Sequence, residues 1–542
     1  MSNERKSFLD WRTISAIVFC FGLIVLWQNH LRKKYPAFYD AQKNAENAPQ
    51  ESVDGKDVEK NASPVVKTEG EISAPATNRL SDRIEERKGE ELVHFEGKNL
   101  SFDISTEGMG FRNINLKQFT TRDKKPILLA NNSRVPLYSN SIGDENLPTQ
   151  FKIERVGENE FVGRARAKGL EIVKTIKVDE SKYALTTSTK ANGDVKSLTF
   201  LFSESVEINE GSFFIPNYDI DTFFVKYGTS DERLNFAKKD LKDTFDKVGV
   251  LAIDKHYFSR SLVDNSKILP EIEYDYAAAD KVVAGKLIYK AIAGTDSMEL
   301  NQILYFGPKE RSKLLAVDPR LDEIVNYGWF GFLAHPMLDM LHWFYGLTGN
   351  WGFAIILLTL VIRVIIAPLH IMSFKSMKKL KDVQPTLQAL KEKYKNDQQT
   401  LNQETMRVMR ESGVNPIGGC LPMFLQMPIF FALFRLLSQA IELYQAPFFG
   451  WIQDLSISDP YFVLPVLMFL TMTAQQMFTP TSADPNQKKM MVFMTVLFSA
   501  FLIFYPSGLA LYIFVGSLFS ILQHFLFLRD KKDNKISLTA KA

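Results

Sequence analysis

At 542 residues the chain exceeds the usual size of one compact domain, so two or more units are expected. A net charge of +3 is too small for a dedicated nucleic-acid binder and excludes DNA as an expected partner, while the 46% of hydrophobic residues crowd into a short N-terminal run and the C-terminal third. Cys20 and Cys420 lie far apart in apolar segments and the seven histidines are scattered, so neither a disulfide framework nor a metal or cofactor site is expected.

Residues 1–31 read as a short cytoplasmic N-terminus and a first transmembrane helix. Tryptophans bracket the apolar run from Trp11 to Trp27, and Arg5, Lys6 and Arg12 stand at its front. No small-x-small cleavage site follows; Asn29, His30, Arg32, Lys33 and Lys34 do, which favours an uncleaved anchor over a removed signal peptide. Residues 32–92 are rich in Ala, Asn, Glu, Lys, Pro and Ser. Such a stretch cannot bury enough apolar surface to offset its chain entropy and reads as a flexible periplasmic linker.

From 93 to 322 short alternating runs take over. Leu170, Ile172, Ile176 and Val178 are separated by Glu171, Thr175 and Lys177, the period of half-buried strands. With turn signals such as Asn192-Gly193-Asp194 between the runs, the segment predicts a large antiparallel β-sandwich. Residues 323–349 are aromatic but interrupted by Asn326, His335-Pro336, Asp339 and His342, which suits an amphipathic helix lying in the membrane interface.

Five apolar segments follow, at 350–369, 417–440, 461–479, 490–506 and 508–528, each close to the roughly 20 residues that a hydrocarbon core demands. The 370–416 connection carries nine basic residues (Lys375, Lys378, Lys379, Lys381, Lys391, Lys393, Lys395, Arg407 and Arg410), so it belongs on the cytoplasmic side. Its helix formers, with a break near Asn396-Asp397 and Leu387, Leu390 and Tyr394 on one face, predict a helical hairpin. The loop at 441–460 has Glu442, Asp454 and Asp459 and no basic residue, which suits the outside. Lys488 and Lys489, then Arg529, Lys531 and Lys532 in the 529–542 tail, return to the cytoplasm. The expected fold is a polytopic α-helical membrane protein with six transmembrane helices, both termini cytoplasmic, and the β-domain in the periplasm.

The most informative residue is Arg363, inside the second span. A guanidinium there costs on the order of 2.5 to 3.5 kcal/mol on insertion scales and cannot shed its charge. It stands six residues before Leu369, roughly 9 Å from the cytoplasmic end, so it either snorkels to the inner headgroups or lines a wet cavity that attracts acidic or polar segments. Thr359, one turn earlier, would extend such a lining. In the third span Phe424, Met427, Phe431 and Phe434 form one stripe, suited either to packing or lipid contact or to an adaptable sliding surface for a client helix. Gln426 faces away from it toward another helix, and Arg435 lies nearer the outer end, placed to snorkel outward. The stretch from Gly413 to Cys420 has the glycine spacing of a phosphate loop without its Lys-Ser/Thr, so no nucleotide site and no enzymatic centre is expected.

Three motifs together resemble the YidC family of membrane insertases, relatives of the mitochondrial oxidase-assembly and chloroplast thylakoid insertases. They are Leu358-Thr-Leu-Val-Ile-Arg363 followed by Pro368, Gly418-Gly-Cys-Leu-Pro-Met-Phe-Leu-Gln-Met-Pro-Ile-Phe430, and Phe504-Tyr-Pro-Ser-Gly-Leu-Ala-Leu-Tyr512. The resemblance covers about 325–528 as the insertase core, with the anchor and β-domain matching the extended Gram-negative form. It implies an inner-membrane insertase and chaperone, with a five-helix core around a hydrophilic groove that is open to the cytoplasm and to lipid. Arg363 would sit in that groove, and Thr359 and Tyr512 match positions near which client segments pass. Nascent membrane proteins, the phospholipid bilayer, the Sec translocon and, through the basic hairpin and tail, the ribosome are the implied partners. The short tail implies weak ribosome binding, and Ile513 stands where some relatives have a second aromatic. Two other classes remain open from the residues: a small-anion transporter or channel, and a carbohydrate-binding or enzymatic β-domain on a membrane anchor.

Overall fold

The computed structural model describes residues 80, 84, 89–130, 133–143, 145–207, 221–236, 239–292, 294–413, 421–478 and 485–528. The expected N-terminal span, nearly all of the linker, both cysteines, the Gly418-Gly-Cys stretch and the tail lie outside them. The chain divides into two compact units, the second beginning at Asn326.

In the first unit, strands β1 (Leu92–Glu96) to β18 (Ser297–Pro308) form three antiparallel sheets, and the largest has nine strands. Its β8 (Leu170–Asp179) buries alternate residues, including Leu170, Ile172, Ile176 and Val178, and pairs with β7 (Glu160–Ala167) and β9 (Ala184–Asn192). The four-stranded sheet of β1, β2 (Leu100–Ser105), β3 (Phe111–Thr120) and β4 (Pro126–Leu129), in that order, covers part of its inner face. Phe95, Phe111 and Phe119 meet Phe161, Phe306 and Phe258 edge-on at 6.2, 5.4 and 5.3 Å between ring centroids. The five-stranded sheet of β13 (Leu241–Phe245), β16 (Glu271–Ala277), β17 (Val282–Lys290), β10 (Ser197–Ser205) and β5 (Ser139–Ile142), in that order, covers another part, through Tyr274 and Phe202 against Phe223 at 4.8 and 6.1 Å. Aromatic pairs in such offset geometry add to the burial of their large apolar faces. A β-sandwich is therefore present in which two smaller sheets share one large partner.

Two charged features are built into this core. Arg260 donates from Nη1 to Glu204 at 2.7 Å and from Nη2 to Asp221 at 3.4 Å, and its Nε reaches the Ile253 carbonyl at 3.2 Å. Burial pushes both carboxyls up from their ordinary range, against the pull of Arg260. Lys174, on the inward face of β8, has no carboxylate partner among the described residues. Its ammonium instead donates to the Met109, Tyr138 and Gly108 carbonyls at 3.0, 3.4 and 3.5 Å, beneath the Phe200 ring. Burial drives it down from 10.5 to about 7.

The second unit is helical. A helix we label α2 (Gly331–Thr348) follows the short α1 (Arg311–Val317) of the first unit, and buries Ala334, Met337, Leu338, Leu341 and Phe344 along one side. It ends on Gly349, whose φ of 64° is the left-handed region, and Gly349 N–H caps the Tyr345 carbonyl at 2.7 Å. Asn350 then caps α3 (Trp351–Lys393), its side chain accepting from Gly352 and Phe353 and donating to the Pro447 and Phe448 carbonyls. Expected limits of 350–369 for the span do not mark the end of a helix. α3 runs 43 residues through Pro368 and Pro385, and its apolar part extends to Phe374. Proline is tolerated where neighbouring helices support the freed carbonyl. Residues 394–397 turn the chain, and Asp397 caps α4 (Gln398–Glu411) through Thr400.

Three shorter helices and one long one complete the unit: α5 (Leu421–Gln439), α6 (Val463–Phe478), α7 (Pro485–Leu502) and α8 (Ser507–Leu528). Among the described residues two stretches, Trp351–Phe374 and Ser507–Leu526, are long and apolar enough to cross a membrane. The apolar parts of α6 and α7 are shorter, Val463–Met477 and Lys489–Leu502.

Two predictions follow from the β-unit. Arg260→Met leaves Glu204 and Asp221 buried without their cation, and should lower unfolding stability by about 3 to 5 kcal/mol, read by denaturant titration of the detergent-solubilised protein. Lys174 holds its proton more weakly folded than unfolded, so between pH 7 and 10.5 the unfolded chain carries the extra proton and stability rises with pH. We expect Lys174→Met to remove a slope of up to about 1.4 kcal/mol per pH unit over that window.

Candidate functional site

The helices α3, α5 and α8 converge around Arg363. Its guanidinium lies against α8 where residue 516 is glycine: a Cβ built there would stand 2.4 Å from Nη2 and 3.0 Å from Nε. One weak hydrogen bond, Nη1 to Ser520 Oγ at 3.4 Å, is its side-chain contact, and among the described residues no carboxylate forms an ion pair with it. Among the described residues its five N–H donors are thus served by a single long bond. On the adjoining turn of α8, Tyr512 is buried, with its hydroxyl close enough to interact electrostatically with Arg363 and accepting from Gln426 Nε2 of α5 at 2.9 Å. Arg363, Tyr512 and Gln426 therefore bring polar groups of three helices to one region, the last two hydrogen-bonded to each other, and Arg363 itself is half-buried.

Thr359 stands one turn before Arg363 on α3. It is buried, and its hydroxyl donates to the Ile355 carbonyl of its own helix at 2.6 Å. A threonine in an apolar span satisfies itself in this way when nothing stronger competes. The stripe on α5 is also divided by its surroundings. Met427 and Phe431 are exposed, the latter stacked on Phe330 at 6.0 Å, whereas Phe434 packs against Tyr505 at 5.3 Å. The Phe424 side chain lies outside the described residues. Arg435 is exposed near Gly328.

Two features escaped the sequence reading. Gly516 and Ser520, which seat the guanidinium, are four residues apart and four and eight residues beyond Tyr512, a spacing that would have placed all three on one face. Met490, Phe493, Met494 and Leu497 form an exposed apolar strip on α7, hidden in a run that is apolar on every side.

One end of the bundle is packed shut. Ser507 and Gly508 N–H groups bond the Ile457 and Leu455 carbonyls at 2.6 and 3.0 Å, and the Gly508 position is hemmed by Ile355 and Leu443. Asp454 and Asp459, read from sequence as topology markers, hold this loop together: Asp454 accepts from Gln445 and Ser456, and Asp459 from Trp451, Tyr461 and Leu464. The loop between α5 and α6 therefore closes the end of the bundle at which α3 and α8 begin.

Comparison with known proteins is consistent along the chain. Residues 343–535 match the family model described as 60Kd inner membrane protein, and residues 92–340 match the YidC periplasmic domain. A curated relative from Cupriavidus taiwanensis, named membrane protein insertase YidC, is 30% identical over 98% of this chain and 99% of its own. One of the same name from Francisella tularensis is 36% identical over 70% of this chain and 71% of its own. Another from Campylobacter jejuni is 48% identical over 41% of this chain and 42% of its own.

Filling the seat of the guanidinium should be costly. We expect Gly516→Val to lower the melting temperature in detergent, and the further change Arg363→Ala to recover part of the loss, because the clashing partner is then gone; a double-mutant cycle reads this coupling.

Proposed function

The chain belongs to the YidC family of membrane protein insertases, and we propose that it integrates and helps fold nascent proteins of the bacterial inner membrane through a hydrophilic groove centred on Arg363, with no catalytic step. The observation that carries this reading is a membrane-depth guanidinium with one long hydrogen bond and no carboxylate among the described residues. A cation so poorly matched is suited to a transient partner.

In the six-span arrangement with both termini cytoplasmic, the lidded end of the bundle faces the periplasm and the groove opens to the cytoplasm. The polar tail of a client then crosses a shortened apolar distance while Arg363 holds an acidic group on it. Its apolar helix leaves along α5 and α7, past Met427 and Phe431 and past Met490 and Met494. Methionine and flat aromatics suit clients of varied shape. Partitioning of that helix into lipid, about 0.8 kcal/mol per buried methylene, supplies the free energy without nucleotide. The Sec translocon is the expected neighbour for larger clients, and the basic α3–α4 hairpin offers the ribosome a weak contact. A small-anion channel would need a through-path, and the packing of Ile355, Leu443 and Leu455 around Gly508 argues against one.

A variant with Cys20 and Cys420 replaced and a single cysteine substituted for Arg363 should react with a membrane-impermeant thiol reagent from the cytosolic face. Arg363→Ala should reduce integration of clients with acidic translocated tails at least several-fold and affect clients with uncharged tails less. Absence of labelling, together with unchanged integration of every client by a folded uncharged variant, would exclude the groove mechanism. Deleting 93–300 should leave the integration of small clients largely intact in a depletion strain.

A further inference from the structure

Arg363 is one member of a longer polar seam. On α3 the face bearing it continues at steps of four and three through Thr359, Arg363, Ile366, His370 and Ser373, and on α8 one face carries Tyr512, Gly516, Ser520 and Gln523. The two helices run parallel: Ile355 lies over Gly508, Arg363 over Gly516 and Ser520, and Phe374 meets His524 edge-on at 5.9 Å. This register brings His370 and Gln523 to similar depths, His370 being roughly 10 Å along the helix from Arg363 and away from the lidded end. Gln523 is buried, and both its Oε1 and the Nε2 of His370 are shut away from solvent with no hydrogen-bond partner among the described residues. Buried polar atoms are ordinarily partnered, and two such atoms at one level of one seam call for an occupant.

We propose that His370 and Gln523 form a second contact site for the client, between the open mouth of the groove and Arg363, and that this site takes extended polypeptide backbone. The inference rests on the insertase reading. A polar tail in transit is not helical, so its N–H and C=O groups lack internal partners at a depth where water is scarce. Arg363 offers donors only and suits a carboxylate or carbonyls. Gln523 offers an acceptor as well as a donor, and His370 adds a ring nitrogen, so the pair can accept the backbone N–H groups that Arg363 cannot. The tail would meet this pair first and the guanidinium second.

The test uses the full-length protein in inner-membrane vesicles, with a photo-crosslinking amino acid at position 370, 523 or 512 and ribosome-stalled client chains of increasing length. Crosslinks from 370 and 523 should appear at shorter chain lengths than those from 512. His370→Leu combined with Gln523→Leu should reduce integration of a client with a long polar tail several-fold and spare one with a short apolar tail, with His370→Asn and Gln523→Asn retaining more activity. Crosslinks from 512 alone, or adducts of 370 and 523 with lipid but no client, would overturn this second site and leave the insertase reading standing. Crosslinks from none of the three positions would remove the groove reading itself.

Discussion

A positive charge that cannot be neutralised, placed within an apolar helix, is the constraint around which the helical unit is organised. Arg363 demands space, which Gly516 provides, and at least one acceptor, which Ser520 provides at long range. It also shapes its neighbourhood at a distance, since Tyr512 and Gln426 carry the polar character from α3 across to α5. None of these groups neutralises the guanidinium as a carboxylate would. In the proposed mechanism, a cation held this loosely is ready to exchange partners, which a stable buried ion pair would forbid.

The β-unit solves the opposite problem. Arg260 is buried too, but with Glu204 and Asp221 both on it and a backbone carbonyl on its Nε. That arrangement fixes the sheets and leaves nothing to bind. Arg260 has three donors matched inside the fold, whereas Arg363 has one among the described residues.

An insertase reading also explains why the bundle is asymmetric along its length. The loop between α5 and α6 is closed by main-chain bonds and by two carboxylates turned inward onto backbone and indole N–H groups. Farther along, α3 carries His370 and Ser373 while α8 carries Ser520 and Gln523 at similar depths. In the proposed mechanism, apolar packing at one end and polar groups toward the other lower the barrier to a polar segment without opening a pore. The free energy still comes from the client's own hydrophobic helix.

Much of this was legible in the residues alone. Alternation at Leu170, Ile172, Ile176 and Val178 fixes the buried face of a strand, and the lengths and loop charges of the C-terminal segments set out a helical membrane unit, because burial period and apolar length are local properties of a chain. Lys174 lies on that same buried face, and only the folded sheets supply the three carbonyls that hold it. What the sequence could not decide was where partners stand. Thr359 turned its hydroxyl onto its own helix, Asp459 became a cap, α3 ran on past Leu369, and Arg363 came to rest on a glycine 153 positions away. Composition and spacing determine which groups need partners; the tertiary fold alone decides which receive them, because those contacts join residues remote in the chain.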